Sequence, residues 1–127
     1  MKKKILIIDD DPSVVLVMKS RLEANGFQVV IASEGGEGLE KACSEKPDLI
    51  LLDIRMPNVD GWTFMNNMKN TKLSKEIPVI MTSAHGKMKE LFASEGVVDF
   101  ITKPFTADDL LEKIRKHLPQ RSAGGNL

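Results

Sequence analysis

Three aspartates, one serine and one lysine carry the chemistry this sequence can support. Asp9 and Asp10 follow the apolar run Ile5-Leu6-Ile7-Ile8, and Asp53 closes a second run, Leu49-Ile50-Leu51-Leu52. Both runs are continuous and too short for helices, so they read as parallel strands buried on both faces. In an open parallel sheet the carboxyl ends of the strands form the ligand crevice, so these acids from two strands should meet at one site. Carboxylates about 4 Å apart repel by roughly 4 kcal/mol per pair at an effective dielectric of about 20. A divalent cation offsets that repulsion, and an oxygen-rich cluster suits Mg²⁺. Ser83 follows a third apolar run, Val79-Ile80-Met81-Thr82, and Lys103 follows a fourth, ending at Thr102, so both should sit at the same edge. An ammonium and a hydroxyl beside a metal-bound carboxylate suit the handling of a phosphoryl group, since both engage its oxygens. A carboxylate can itself be the nucleophile, giving an aspartyl phosphate.

The segments that must position these groups alternate between strand and helix. Residues 4–9, 28–32, 48–53, 79–82 and 97–102 read as strands. A helix beginning at Pro12, with Asp11 as its N-cap, carries Val14, Val15, Met18 and Leu22 on one face and ends at Asn25-Gly26. A second helix over 35–46 buries Leu39, Ala42 and Cys43 and stops at Pro47. A third over 62–70, capped by Asp60, carries Phe64, Met65 and Met68. A fourth over 86–94 carries Met88, Leu91 and Phe92, and a last over 106–118 uses Leu110, Leu111, Ile114 and Leu118. Strand and helix alternating five times predicts an α/β class with a parallel sheet and helices on both faces. Pro119 to Leu127 has no periodicity and reads as a flexible tail or linker stub.

Composition narrows the function classes. Lys plus Arg and Asp plus Glu both number 18, so no net charge draws nucleic acid or an anionic membrane to the chain. No stretch reaches membrane-spanning length, and the four apolar residues after Lys2-Lys3-Lys4 are too few for a signal peptide. The single cysteine, Cys43, allows no internal disulfide, which fits a reducing, cytoplasmic setting.

Four ordered segments join these readings: Ile5-Leu6-Ile7-Ile8-Asp9-Asp10-Asp11, Leu51-Leu52-Asp53-Ile54-Arg55-Met56-Pro57-Asn58-Val59-Asp60-Gly61, Pro78-Val79-Ile80-Met81-Thr82-Ser83-Ala84 and Phe100-Ile101-Thr102-Lys103-Pro104-Phe105. Together they resemble the receiver domain of two-component response regulators, over about residues 3–118. The resemblance implies a flavodoxin-like (βα)5 sandwich with strand order 2-1-3-4-5, spanning residues 1–119 with a tail over 120–127. It implies that Asp53 accepts the phosphoryl group from a sensor histidine kinase or a histidine phosphotransfer protein. Asp10 and Asp53 would bind Mg²⁺ directly, Asp9 through water, and Arg55 through its backbone carbonyl. Lys103 would pair with the phosphoryl group, Ser83 would be the switch hydroxyl, and Phe100 the aromatic that changes rotamer. The Lys103–Pro104 peptide bond would be cis. Thr82 is a second hydroxyl, but Ser83 stands at the family's spacing from Pro78, and strand alternation would point residue 82 elsewhere.

The chain also departs from the family pattern. It is two residues short between Ser83 and Lys103, within Gly86–Val98, where receivers present an output surface to a partner, an attached domain or a second copy in a phosphorylation-dependent dimer. Arg55 and His85 occupy positions that tune the attacking water and hence the lifetime of the phosphoryl group. Such a domain catalyses only its own phosphorylation and dephosphorylation, and is not an enzyme acting on a metabolite. A metal-dependent phosphohydrolase working through an aspartyl phosphate is the competing catalytic reading. It wants a second acid two residues after the nucleophile, where this chain has Arg55. A receiver used only for docking, without phosphorylation, is the third reading.

Overall fold

The computed structural model describes residues 2–54, 60–72, 76–83 and 96–118. Among these the order is β1 (Lys4–Ile8), α1 (Pro12–Ala24), β2 (Gln28–Ala32), α2 (Gly35–Glu45), β3 (Leu49–Ile54), α3 (Asp60–Lys69), β4 (Val79–Ser83), β5 (Asp99–Thr102) and α4 (Ala107–His117). The strands form one sheet in the order β2-β1-β3-β4-β5, and every pairing is parallel. This is the α/β architecture, and the 2-1-3-4-5 order, that the sequence and its resemblance called for. The expected helix over 86–94, the tail over 120–127, Arg55 and His85 lie outside the described residues.

Alternation along the buried strands splits the core into two layers, which explains their unbroken apolar runs. Leu6, Ile8, Ile50, Leu52, Val79 and Met81 pack with Ala42 of α2 and Phe64, Met65 and Met68 of α3. Ile5, Ile7, Leu49, Leu51, Ile80 and Ile101 pack with Val15, Met18 and Leu22 of α1 and Leu110, Leu111 and Ile114 of α4. Each buried Val, Leu, Ile, Phe or Met among them contributes about 1.5–3 kcal/mol by leaving water. Helices therefore cover both faces and leave the strand ends as the open edge.

Local chemistry sets the helix ends. Asp11 caps α1, its Oδ1 accepting from the Ser13 amide at 3.0 Å and the Val14 amide at 3.4 Å, with Pro12 in the first turn. The helix closes at Asn25, and Gly26 follows at φ 89°, a left-handed turn that glycine adopts without strain. Thr106 and Asp109 form a capping box at the start of α4. Helix α3 begins at Asp60, earlier than the expected start at 62, and β5 begins at Asp99 rather than 97.

Cys43 corrects the sequence reading, for it is exposed. The inward stripe of α2 runs through Gly38 and Ala42, and Cys43, one residue further round, turns outward. Gly38 is needed for close approach: a Cβ there would collide with Ile8 Cδ1 and lie 2.9 Å from Ile8 Cγ1.

Candidate functional site

The strand order makes β1 and β3 neighbours, although the chain visits β2 between them. That reversal is the topological switch point, where connections leave on opposite faces and open a crevice. The register pairs Ile8 with Leu52, so the next residues, Asp9 and Asp53, come level with each other. Carboxylate oxygens of Asp9, Asp10 and Asp53 all lie within 4.8 Å of one another. Asp9 is buried, Asp53 is partly buried and Asp10 is exposed, so the cluster grades from the sheet end to solvent. Asp9 is held in place by the Asp11 amide, which donates to its Oδ1 at 2.9 Å.

Lys103 reaches the same cluster from the end of β5. Its backbone amide donates to the Ser83 carbonyl at 2.7 Å, which carries the β4–β5 ladder one step beyond the strands. Its ammonium lies 2.6 Å from Asp53 Oδ1 and 3.7 Å from Asp9 Oδ2. The Lys103–Pro104 peptide bond is cis. Three carboxylates against one ammonium leave the cluster with a net negative formal charge. Its donors are all hard oxygens, so the residues fit a magnesium ion better than a soft metal.

Thr82 requires a correction. Alternation along β4 was expected to turn it from the acids, yet its hydroxyl donates to Asp53 Oδ1 at 3.3 Å. The β3–β4 register explains this: Asp53 pairs with Thr82, while Ser83 pairs with Ile54. Ser83 is itself buried at the strand end. Phe100, opposite Met81, is partly buried against the core layer beneath α2 and α3.

Two features were not singled out from sequence. Asp99, at the opposite end of β5 from Lys103, accepts from Lys113 Nζ at 3.1 Å and from the Phe100 amide at 2.8 Å, and its Oδ2 meets His117 Nε2 at 2.8 Å. Burial pushes the Asp99 carboxyl up, but the His117, Phe100 and Lys113 contacts outweigh it and hold the group at about 2, below its ordinary 3.8. The i, i+4 spacing of Lys113 and His117 on one helix face was the available signal. The second feature is an apolar groove of about 430 Å³ between α1 and the β5–α4 connection, lined by Val14, Val17, Met18, Lys103, Pro104 and Phe105. On α1, Leu16 and Val17 are 65% and 62% exposed.

Comparisons with known proteins agree with this fold. A family model described as the response regulator receiver domain matches residues 5–115. The chain is 39% identical over 121 residues to the chemotaxis protein CheY of Bacillus subtilis, spanning 93% of this chain and 99% of that protein. It is 32% identical over 124 residues to sporulation initiation phosphotransferase F of the same organism, spanning 96% and 98%. Among solved structures, a CheY-like receiver domain protein from Methanospirillum hungatei superposes with a TM-score of 0.81 at 32% identity, covering 91% of this chain and 93% of that one. The first curated relatives it matches, named as transcriptional regulators, are longer: the chain spans 48%, 47% and 26% of three of them.

Proposed function

Because this chain belongs to the response regulator receiver family, we propose that it is a phospho-accepting switch whose acceptor is Asp53. The observation that carries this reading is the Lys103 ammonium 2.6 Å from Asp53 Oδ1, inside a cluster with Asp9 and Asp10. A carboxylate oxygen of Asp53 attacks the donor phosphorus and forms an acyl phosphate. The donor's bond to phosphorus breaks, and the leaving group departs with its electron pair. Lys103 is placed to neutralise charge on the transferring oxygens. Asp10 and Asp53, with Asp9 through water and the Arg55 carbonyl, would hold Mg²⁺, which supplies charge neutralisation when bound.

The donor in this reading is a sensor histidine kinase or histidine phosphotransfer protein. The apolar groove supports it, because Lys103 lines both the groove and the acid cluster, so a partner seated on α1 would present its phosphoryl group to Asp53. Phosphorylation adds charge and acceptor oxygens at the strand ends, and Ser83 and Phe100 are the switch residues that would convert this into a changed surface. In this reading the receiver unit spans 1–119, with 120–127 as a tail or linker stub. A phosphorylation-dependent homodimer is one form that output would take.

The test is intact-mass spectrometry after incubation with acetyl phosphate, with and without Mg²⁺. One added phosphoryl group is expected in the wild type with Mg²⁺, and none in Asp53→Asn. No addition to the wild type would leave the docking reading in its place. Rapid turnover of small phosphate esters would favour the phosphohydrolase.

A further inference from the structure

We infer that Thr82 is a positioning residue that fixes the rotamer of the Asp53 carboxylate before phosphoryl transfer, a role that rests on Asp53 being the acceptor. Thr82 is 1% exposed and lies directly opposite Asp53 in the β3–β4 ladder. Its hydroxyl, at 3.3 Å, and the Lys103 ammonium, at 2.6 Å, converge on the same oxygen, Asp53 Oδ1. An aspartate side chain otherwise samples several χ1 wells and a broad χ2. With Oδ1 held by two donors, the carboxylate plane is set, and with it the direction of the second oxygen.

The two donors do different things. The lysine ammonium is a point charge on a flexible four-carbon stem, so it supplies attraction with little direction. The Thr82 hydroxyl sits on a Cβ rooted in a strand paired on both sides, with no flexible stem between it and the backbone, so it supplies direction. Ser83, one residue on, stands opposite Ile54 instead. The adjacent hydroxyls thus divide between the acceptor before transfer and the proposed switch after it. The plainer alternative is that Thr82 only satisfies its own buried hydroxyl. Under that alternative valine, nearly the same shape with no polar atom, would serve as well.

The experiment compares wild type, Thr82→Val, Thr82→Ser and Thr82→Ala in the 127-residue chain. The first readout, without donor or metal, is the set of three-bond NMR couplings that report Asp53 χ1. A single rotamer is expected in wild type and Thr82→Ser, and averaging in Thr82→Val and Thr82→Ala. The second is the phosphorylation rate from acetyl phosphate with Mg²⁺, expected to fall roughly threefold to tenfold in the valine and alanine variants and to stay within about twofold in serine. Urea midpoints of the serine and valine variants check that folding does not explain the loss. The proposal is overturned if Thr82→Val keeps either the single rotamer or the wild-type rate, or if serine fails to rescue. If wild type takes up no phosphoryl group, the acceptor reading falls, while the couplings still decide whether Thr82 orients Asp53.

Discussion

Replacing Asp99 with asparagine should cost the fold a pH-dependent part of its stability. In the folded chain His117, the Phe100 amide and Lys113 hold the carboxyl at about 2, against an ordinary value of 3.8. The difference, at 1.36 kcal/mol per pKa unit, is worth about 2 kcal/mol. Asp99 is 19% exposed and its partner Lys113 34%, so solvent screening trims the full difference to this figure. Because the folded value is the lower one, the contribution is fully present above the unfolded pKa and is lost as pH falls through about 2. Asparagine keeps an oxygen for the Phe100 amide but loses its charge toward Lys113 and His117. Urea unfolding of both proteins should therefore show a gap of about 2 kcal/mol at neutral pH, or about 5–10 °C in Tm, that closes progressively below about pH 4. A gap of the same size at about pH 2, or none at neutral pH, would refute the reasoning.

Three further outcomes follow from the structure. Gly38→Ala should destabilise by about 1–2 kcal/mol in urea, because the clash with buried Ile8 exceeds the roughly 1 kcal/mol that alanine contributes to helix propensity. Mg²⁺ at tenfold its Kd should stabilise the wild type by about 1.4 kcal/mol, seen as a raised Tm that chelation reverses and Asp10→Asn abolishes. Leu16→Asp with Val17→Asp, on the exposed apolar part of α1, should slow transfer from a phosphohistidine-bearing partner about tenfold while leaving uptake from acetyl phosphate unchanged.

The buried strands were legible in the sequence because burial on both faces leaves β1 and β3 as unbroken apolar runs ending in acids. The convergence of Asp9, Asp10, Asp53 and Lys103 followed from one rule about strand ends, and their contacts agree with it. Strand order came from resemblance, because periodicity within a strand carries no information about its neighbours. Thr82 shows the same gap at the scale of one residue: alternation says which residues share a face, but only the β3–β4 register says which one stands opposite Asp53. Cys43 was misplaced because a short helix with small inward residues, Gly38 and Ala42, leaves the phase of its buried stripe weakly marked. His117 carries no signal by itself, and its meaning depends on α4 docking beside the start of β5.

The central claim is that Asp53 is the residue that takes the phosphoryl group. Borohydride reduces an acyl phosphate of aspartate to homoserine, so the acceptor can be read by peptide sequencing after treatment with acetyl phosphate and Mg²⁺. Homoserine at position 53, absent without Mg²⁺ and sharply reduced in Lys103→Ala, is the predicted result. Homoserine at Asp9, Asp10 or another residue, or none at all in a protein that binds Mg²⁺, would contradict it.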